Sequence, residues 1–170
     1  MNAQVEQTAE FCTISIKNSF IKLKEKIMDA TSRVIFTVLC VLTIVIPTIM
    51  DLNHTHMTNP QWTPHARLHW AVQYLSITVI QGIALYLLWG NYADKNSILI
   101  TWFAGLAPLF FWGMFIPALL FFPGTGTWPD GVEPPKNFPD VFKKIHPNMI
   151  LSIVISLASV VGIALDLRRR

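Results

Sequence analysis

The chain alternates long apolar runs with short polar connections. Four runs are almost free of charged residues, and they predict membrane spans at about 34–50, 67–90, 97–122 and 147–165. Each run is close to the ~20 residues that a helix needs to cross ~30 Å of hydrocarbon. Because a bilayer offers the backbone no hydrogen-bond partners, helices are the expected spanning structure. The pattern therefore predicts an all-α fold, a four-transmembrane-helix bundle that forms one domain over residues 33–170.

Residues 1–32 follow a different pattern. Apolar residues recur every three or four positions, at Ile16, Phe20, Leu23 and Ile27, and lysines occupy much of the remaining surface. This arrangement predicts an N-terminal amphipathic helix that lies at the membrane interface as a basic juxtamembrane anchor.

Composition agrees with a membrane protein. Hydrophobic residues make up 52% of the 170 residues and charged residues only 14%, whereas soluble domains carry about 25% charged residues. The net charge of +3 is explained by basic residues beside the spans, and no nucleic-acid footprint is present. The two cysteines, Cys12 and Cys40, are poorly placed to pair, so no disulfide framework is expected.

The lysine and arginine distribution predicts the orientation. Basic residues are concentrated at 17–33, before the first span, and at 168–170, after the last. Both termini are therefore expected in the cytoplasm, with the connections 51–66 and 123–146 on the opposite side. The protein would be a multi-pass integral membrane protein of the bacterial inner membrane or, in a eukaryote, of the endoplasmic reticulum.

The connection between the first two spans contains most of the histidines. Residues 50–70 hold four of the five histidines. Thr63 is a suitable N-cap and Pro64 suits the first helical position. From there one face of the second helix carries His65, His69, Gln73 and Ser76.

Polar and small faces of this kind are expected to turn toward neighbouring helices rather than lipid. The third span offers a comparable face, formed by Thr101, Gly105, Pro108 and Trp112. The fourth offers another, formed by Asn148, Ser152, Ser156 and Ser159. Close packing is sufficient to explain the faces on the third and fourth spans.

Titratable groups from several segments are predicted to meet at the non-cytoplasmic end of the bundle. They are Asp51, His65, His146 and the loop residues Asp130 and Glu133. The cytoplasmic end is expected to offer only Asp94, Lys95 and the terminal charges.

Three interpretations of this cluster remain open. The first is a metal site in which His65 and His69, one turn apart, are joined by His56 or His54, with Asp51 as a further ligand or a supporting partner. The cofactor is otherwise unknown, and a divalent metal, zinc or iron, would fit. The second is metal-free acid–base chemistry by Asp51 and a histidine. The third is structural: Asp51, Asn53 and Thr55 cap a turn, and the histidines lie at the lipid interface.

Arg67 and Trp62 add two expectations. A cation in the first turn of a helix opposes the helix dipole, so Arg67 is expected to pair with an anion, either Asp51 or a ligand such as a lipid phosphate. Trp62 is expected either in an aromatic belt at the membrane surface or in the wall of an apolar substrate pocket.

The stretch DLNHTHMTNPQWTPHARLH, residues 51–69, resembles the pattern D-x-N-x-T-H-x-x-N-P-x-W-x-P-H-A-R-x-H. This pattern belongs to an uncharacterised family of small four-helix membrane proteins of bacteria and fungi. His54 falls at a variable position of the pattern. The sterol-isomerase and sigma-2-receptor-like proteins are similar in architecture alone.

Two functions are therefore considered. The first is a membrane-embedded enzyme that acts on a lipophilic substrate at the non-cytoplasmic face, with a reactive centre of Asp51, His56, His65 and His69. Its substrate contacts would be Arg67, Asn53, Trp62, Gln73 and His146. The alternative is a non-catalytic lipid- or sterol-binding protein, or an assembly partner. Membrane lipids are the expected partners in both cases.

Overall fold

A computed structural model of the chain describes residues 2–54, 56–90, 98–122, 136, 137, 139, 140 and 147–168; within these, the side chains of residues 2–13, 25, 26, 28, 119 and 147 are not described. The described residues form five α-helices: α1 (Asn2–Asp51), α2 (Pro64–Trp89), α3 (Ile98–Trp112), α4 (Phe115–Phe121) and α5 (Pro147–Arg168). Four segments are long and apolar enough to cross a membrane: Ile14–Asp51, Pro64–Trp89, Ile98–Ala118 and Asn148–Arg168. The predicted all-α, four-span architecture is confirmed.

Helix α1 is longer than the predicted first span. It runs without interruption for 50 residues, about 75 Å at 1.5 Å per residue. No glycine or proline occurs before Pro47, so nothing in the sequence breaks the helix between the amphipathic segment and the span. The N-terminal segment is thus helical and continuous with the first span, and its location at the membrane interface stays a prediction.

The third span is interrupted. Helix α3 has 15 residues, about 22 Å, and a turn at Gly113 and Met114 separates it from α4. Pro117 has no N–H to donate to the Gly113 carbonyl, which disfavours a continuous helix through this stretch, and it is tolerated in the first turn of α4. At the end of α3 the Trp112 carbonyl accepts a hydrogen bond from Ser152 Oγ of α5, 2.5 Å away, which replaces a missing helical partner.

The core lies where α1, α2, α3 and α5 meet. Its buried apolar residues are Phe36, Leu39, Cys40, Ala84, Leu88, Ala104, Ala107, Trp112, Met149, Ile155 and Ile163. Small residues allow the close approach of α5 to α1. A Cβ atom added to Gly162 would lie 2.6 Å from Phe36 Cε1 and 3.2 Å from Ile35 Cγ2.

The predicted small and polar faces differ in burial: those on α3 and α5 pack against other helices, and the one on α2 does not. All four residues of the α3 face are buried, and Ser152 and Ser159 of α5 are buried as well. Packing against neighbouring helices is therefore confirmed for these residues. On α2 the prediction is wrong, because His65, His69, Gln73 and Ser76 are all exposed at the bundle surface.

A buried carboxylate lies at the end of the bundle opposite the α1–α2 connection. Asp166 of α5 is 3% exposed and accepts hydrogen bonds from Thr101 of α3 and from Ser32 of α1, the latter at 3.4 Å. Nearby, Arg33 pairs with Asp29 at 3.1 Å and donates to the Leu88 carbonyl. The expectation that this end offers only Asp94, Lys95 and terminal charges is therefore wrong. Asp166 lies next to the C-terminal arginines in sequence, but its side chain points into a helix interface.

Candidate functional site

The connection between α1 and α2 is shaped by side-chain hydrogen bonds to the backbone. Asn53 Nδ2 donates to the carbonyls of Ile49 and Met50, at 3.1 and 2.7 Å, and thereby caps the end of α1. Asparagine is well suited to this position because its amide can bond to the nearby backbone. Asn53 thus has a structural role in addition to any contact with a substrate.

The second half of the connection prepares the start of α2. Asn59 Oδ1 accepts from the Gln61 N–H at 2.9 Å, which makes a tight turn. Thr63 Oγ1 accepts from the Ala66 N–H at 3.2 Å, and Pro64 is the first helical residue. The N-cap predicted at Thr63 is confirmed.

Asp51 is held by an aromatic residue of α2. Trp70 Nε1 donates to Asp51 Oδ2 at 3.1 Å, and His56 Nδ1 lies 3.9 Å from Asp51 Oδ1. The Trp70 ring stacks on Tyr74, with ring centroids 4.9 Å apart. The Tyr74 hydroxyl in turn lies 2.7 Å from Thr48 Oγ1 of α1. The carboxylate is thus part of a polar and aromatic contact that joins α1 to α2.

Arg67 does not pair with Asp51. Its Nη2 donates to the Asn59 carbonyl at 2.8 Å, and its Nε is buried without a hydrogen-bond partner among the described residues. Within that part of the chain no carboxylate lies within ion-pair distance of the guanidinium. Asp51, one of the two anionic partners expected for Arg67, is therefore not its partner. His56 contacts the edge of Trp62, with centroids 5.2 Å apart.

His65 and His69 form a separate pair. Their Nε2 atoms lie 2.9 Å apart and their rings are perpendicular. Two nitrogens bound to one tetrahedral zinc ion lie about 3.3 Å apart, so the separation of the pair is close to the one that a shared ion requires. No group of three His, Cys, Asp or Glu side chains in the described ranges is close enough to hold a metal.

The two pairs face different directions. His69 and Trp70 are consecutive, so their side chains leave α2 about 100° apart. Trp70 faces α1 and Asp51, whereas His65 and His69 are exposed. The four residues of the predicted reactive centre thus lie in two pairs, Asp51 with His56 and His65 with His69, and their catalytic role stays a prediction. His146 lies outside the described residues.

Below the histidine pair, the same face of α2 leads to a groove between α2 and the α3–α4 segment. Its volume is about 450 Å³. The lining residues are Gln73, Ser76, Ile77, Ile80, Gln81, Ala107, Phe110, Phe111, Met114, Phe115 and Ala118. Phe110 and Met114 are 69% and 51% exposed, so the groove is open at the bundle surface. The turn at residues 113–114 and the small side chains of Ala107 and Ala118 make room for it.

Gln81 is the most buried polar group of the groove. It is 1% exposed, and its Nε2 donates to the Ala107 carbonyl of α3 at 3.0 Å. Its Oε1 has no hydrogen-bond partner among the described residues.

Sequence reasoning missed three residues of this region: Trp70, Tyr74 and Gln81. Nothing in the spacing of the sequence indicated the hydrogen bond from Trp70 to Asp51. A signal did exist for Gln81, because a polar side chain deep in an apolar span is costly unless it has a role.

Comparison with known proteins gives one result. The model of DUF6640, a family of unknown function, matches residues 35–170. No curated protein and no solved structure matches the chain. The family match covers the first span from residue 35 onward, the other three spans and the α1–α2 connection with its histidines. The chain therefore belongs to DUF6640, a family of unknown function.

Proposed function

We propose that this protein binds a lipophilic molecule in the groove between α2 and the α3–α4 segment. The observation that carries the proposal is the groove itself, a cavity of about 450 Å³ with mostly apolar walls. It lies between two segments that are each long and apolar enough to span a membrane, Pro64–Trp89 and Ile98–Ala118. Ligand pockets in proteins typically measure ~300–1,000 Å³ and combine apolar walls with a few polar groups.

The polar face of α2 supports an orientation for the bound molecule. Gln73 and Ser76 line the groove, and His69 and His65 follow one and two turns further toward the start of α2. A molecule with an apolar body and one polar end would place its body against Phe110, Phe111 and the other apolar residues. Its polar end would lie against the polar groups of α2 that line the groove, Gln73, Ser76 and Gln81.

The basic residues before the first span and after the last support a direction across the membrane. The groove mouth and the histidine pair then belong to the non-cytoplasmic half of the bilayer. The molecule would enter from the membrane, because the groove is open on the lipid-facing surface of the helices. Membrane lipids are thus both the surroundings and the source of the ligand.

A reaction at the histidine pair is a second candidate. The observation that favours it is the 2.9 Å separation of the two Nε2 atoms, which would allow the pair to share a proton or to hold a divalent ion such as zinc or iron. Binding alone is preferred because Asp51 and His56 lie on a different side of α2 and do not join the pair.

Photolabelling in a bilayer tests the binding proposal. The full chain is placed in phosphatidylcholine nanodiscs with a diazirine-bearing hexadecanol, irradiated, digested and mapped by mass spectrometry. We expect saturable labelling at groove residues such as Phe110 and Met114, and we expect excess unlabelled hexadecanol to remove it. Ala118→Phe fills the groove and should abolish this labelling. Ala164→Phe makes the same change at an exposed position of α5 and should leave it intact. Labelling spread evenly over all exposed helix faces would refute the proposal.

A further inference from the structure

We infer that the molecule bound in the groove is an uncharged lipophilic alcohol, or another neutral lipid with one hydrogen-bond donor, and that Gln81 Oε1 receives this donor. The inference rests on the proposed binding function and adds the chemical class of the ligand. It is carried by the amide of Gln81, which lies in the groove wall and is only half satisfied.

The orientation of the amide follows from its neighbour. The Ala107 carbonyl can only accept, so the atom of Gln81 that lies 3.0 Å from it is the Nε2 donor. The other atom is therefore the carbonyl oxygen Oε1. A carbonyl oxygen accepts hydrogen bonds and cannot donate, so the complementary ligand group is an O–H or an N–H.

The surroundings make the missing partner costly. A buried acceptor without a hydrogen bond loses its hydration without replacement, and Gln81 is 1% exposed. The residues beside it in the groove, Ile77, Ile80 and Ala107, are apolar. These side chains offer Oε1 no hydrogen-bond donor.

The chemistry also excludes several ligand classes. No cation or anion lines the groove among the described residues, so a charged group would be left without a counter-ion at membrane depth. Ketones, esters and ethers present only acceptors, which could receive the second N–H of Gln81 Nε2 but would leave Oε1 without a donor. A neutral alcohol satisfies both conditions.

The ligand can reach Oε1 with a small side-chain adjustment. The terminal torsion of glutamine is broad, so the amide can turn moderately at low cost. Because Gln81 lines the groove, we expect such a turn to present Oε1 to a bound molecule.

A matched pair of probes tests the inference. Hexadecanol and hexadecyl methyl ether, each with the same diazirine, differ only in the hydrogen-bond donor. Both are measured in nanodiscs of phosphatidylcholine, a lipid without hydrogen-bond donors, and each occupancy is divided by the probe's partition into protein-free bilayers. We expect the wild type to favour the alcohol by about tenfold, which corresponds to ~1.4 kcal/mol.

Two variants locate the effect. Gln81→Met removes the acceptor and should reduce the alcohol-to-ether ratio to about one, while the ether still labels the groove. Gln61→Met makes the same change at an exposed residue of the α1–α2 connection, outside the groove lining, and should keep the preference. If Gln81→Met does not fold, the wild-type ratio alone decides.

The outcomes separate the two proposals. Equal labelling by alcohol and ether in the wild type would overturn the inference and leave the binding function intact. Absence of saturable labelling by either probe would overturn both. An unchanged preference in a folded Gln81→Met variant would also overturn the inference, because the donor would then be received elsewhere.

Discussion

The indole Nε1 of Trp70 donates a hydrogen bond to Asp51 Oδ2 across the α1–α2 interface, at 3.1 Å. The carboxylate at the end of the first span is thus held by Trp70 rather than by Arg67. Since the Asp51 side chain is 26% exposed, water also reaches it. This contact determines the stability that we expect for variants of Asp51, Trp70 and Arg67.

The first prediction concerns that contact. Trp70→Phe removes the donor but keeps the ring that stacks on Tyr74, and it should lower the free energy of unfolding by about 1–2 kcal/mol. In thermal melts in one detergent, Asp51→Asn and Trp70→Phe should be coupled, because Trp70→Phe removes the hydrogen bond that Asp51→Asn weakens by taking away the charge of the acceptor. Arg67→Gln should be additive with Asp51→Asn. Rescue of Asp51→Asn by Arg67→Gln would show that the ion pair, and not the indole, compensates the carboxylate.

The second prediction concerns the buried carboxylate. Thr101→Val removes the hydroxyl that donates to Asp166 at almost constant shape, and it should cost about 1–3 kcal/mol of stability because the buried acceptor loses a partner. Thr31→Val is the control, since the Thr31 hydroxyl is exposed and bonds within its own helix. It should change the stability by less than ~0.5 kcal/mol. Equal effects of the two substitutions would show that the hydrogen bond from Thr101 to Asp166 does not stabilise the bundle.

The third prediction concerns helix packing. Gly162→Ala places a Cβ 2.6 Å from Phe36 Cε1 and should destabilise the bundle by about 1–3 kcal/mol through overpacking. Gly82→Ala provides the matched control, because its added Cβ meets nothing within 4 Å. There the gain in helix propensity should stabilise the protein by up to ~1 kcal/mol. A neutral Gly162→Ala would mean that α1 and α5 can separate without cost.

The fourth prediction concerns metal. If the histidine pair holds an ion, added zinc should raise the melting temperature of the wild type and not that of His65→Ala or His69→Ala. The effect should weaken as the pH falls, because an imidazole must be neutral to bind a metal. His54→Ala, at an exposed residue of the connection, should respond as the wild type does. A wild type that gains no stability from zinc or iron would exclude this candidate.

The fifth prediction concerns orientation. In a background with Cys12→Ser and Cys40→Ala, a cysteine at the exposed position of His54 should react with an impermeant maleimide from the non-cytoplasmic side only. A cysteine at the exposed Arg168 position of α5 should react only after the membrane is opened. The reverse pattern would invert the proposed placement of the groove mouth.

The hydropathy pattern was sufficient to predict the four spans, because the length and apolarity of a span are properties of contiguous sequence. The start of α2 was predictable for a similar reason: Thr63 and Pro64 act on the residues next to them. The unbroken α1 and the interruption at residues 113–114 were missed. Both depend on whether neighbouring elements let a helix continue, which composition does not determine.

The site was predicted only in part. Helical spacing was enough to bring His65 and His69 together and to place Gln73 and Ser76 on the same face. It could not indicate that this face is exposed, or that Asp51 meets Trp70, because both depend on how α2 is rotated against α1. Gln81 gains its importance from the Ala107 carbonyl on another helix, a contact that no local pattern contains.

The hydrogen bond from Ser152 to the Trp112 carbonyl has a consequence for the evolution of the family. It is needed only where α3 ends at residue 112 and leaves that carbonyl without a helical donor. In relatives whose third span continues as one helix, without the turn-forming glycine and the proline at the positions of Gly113 and Pro117, the serine loses this task and alanine becomes acceptable. We therefore expect Gly113, Pro117 and Ser152 to covary among members of the family.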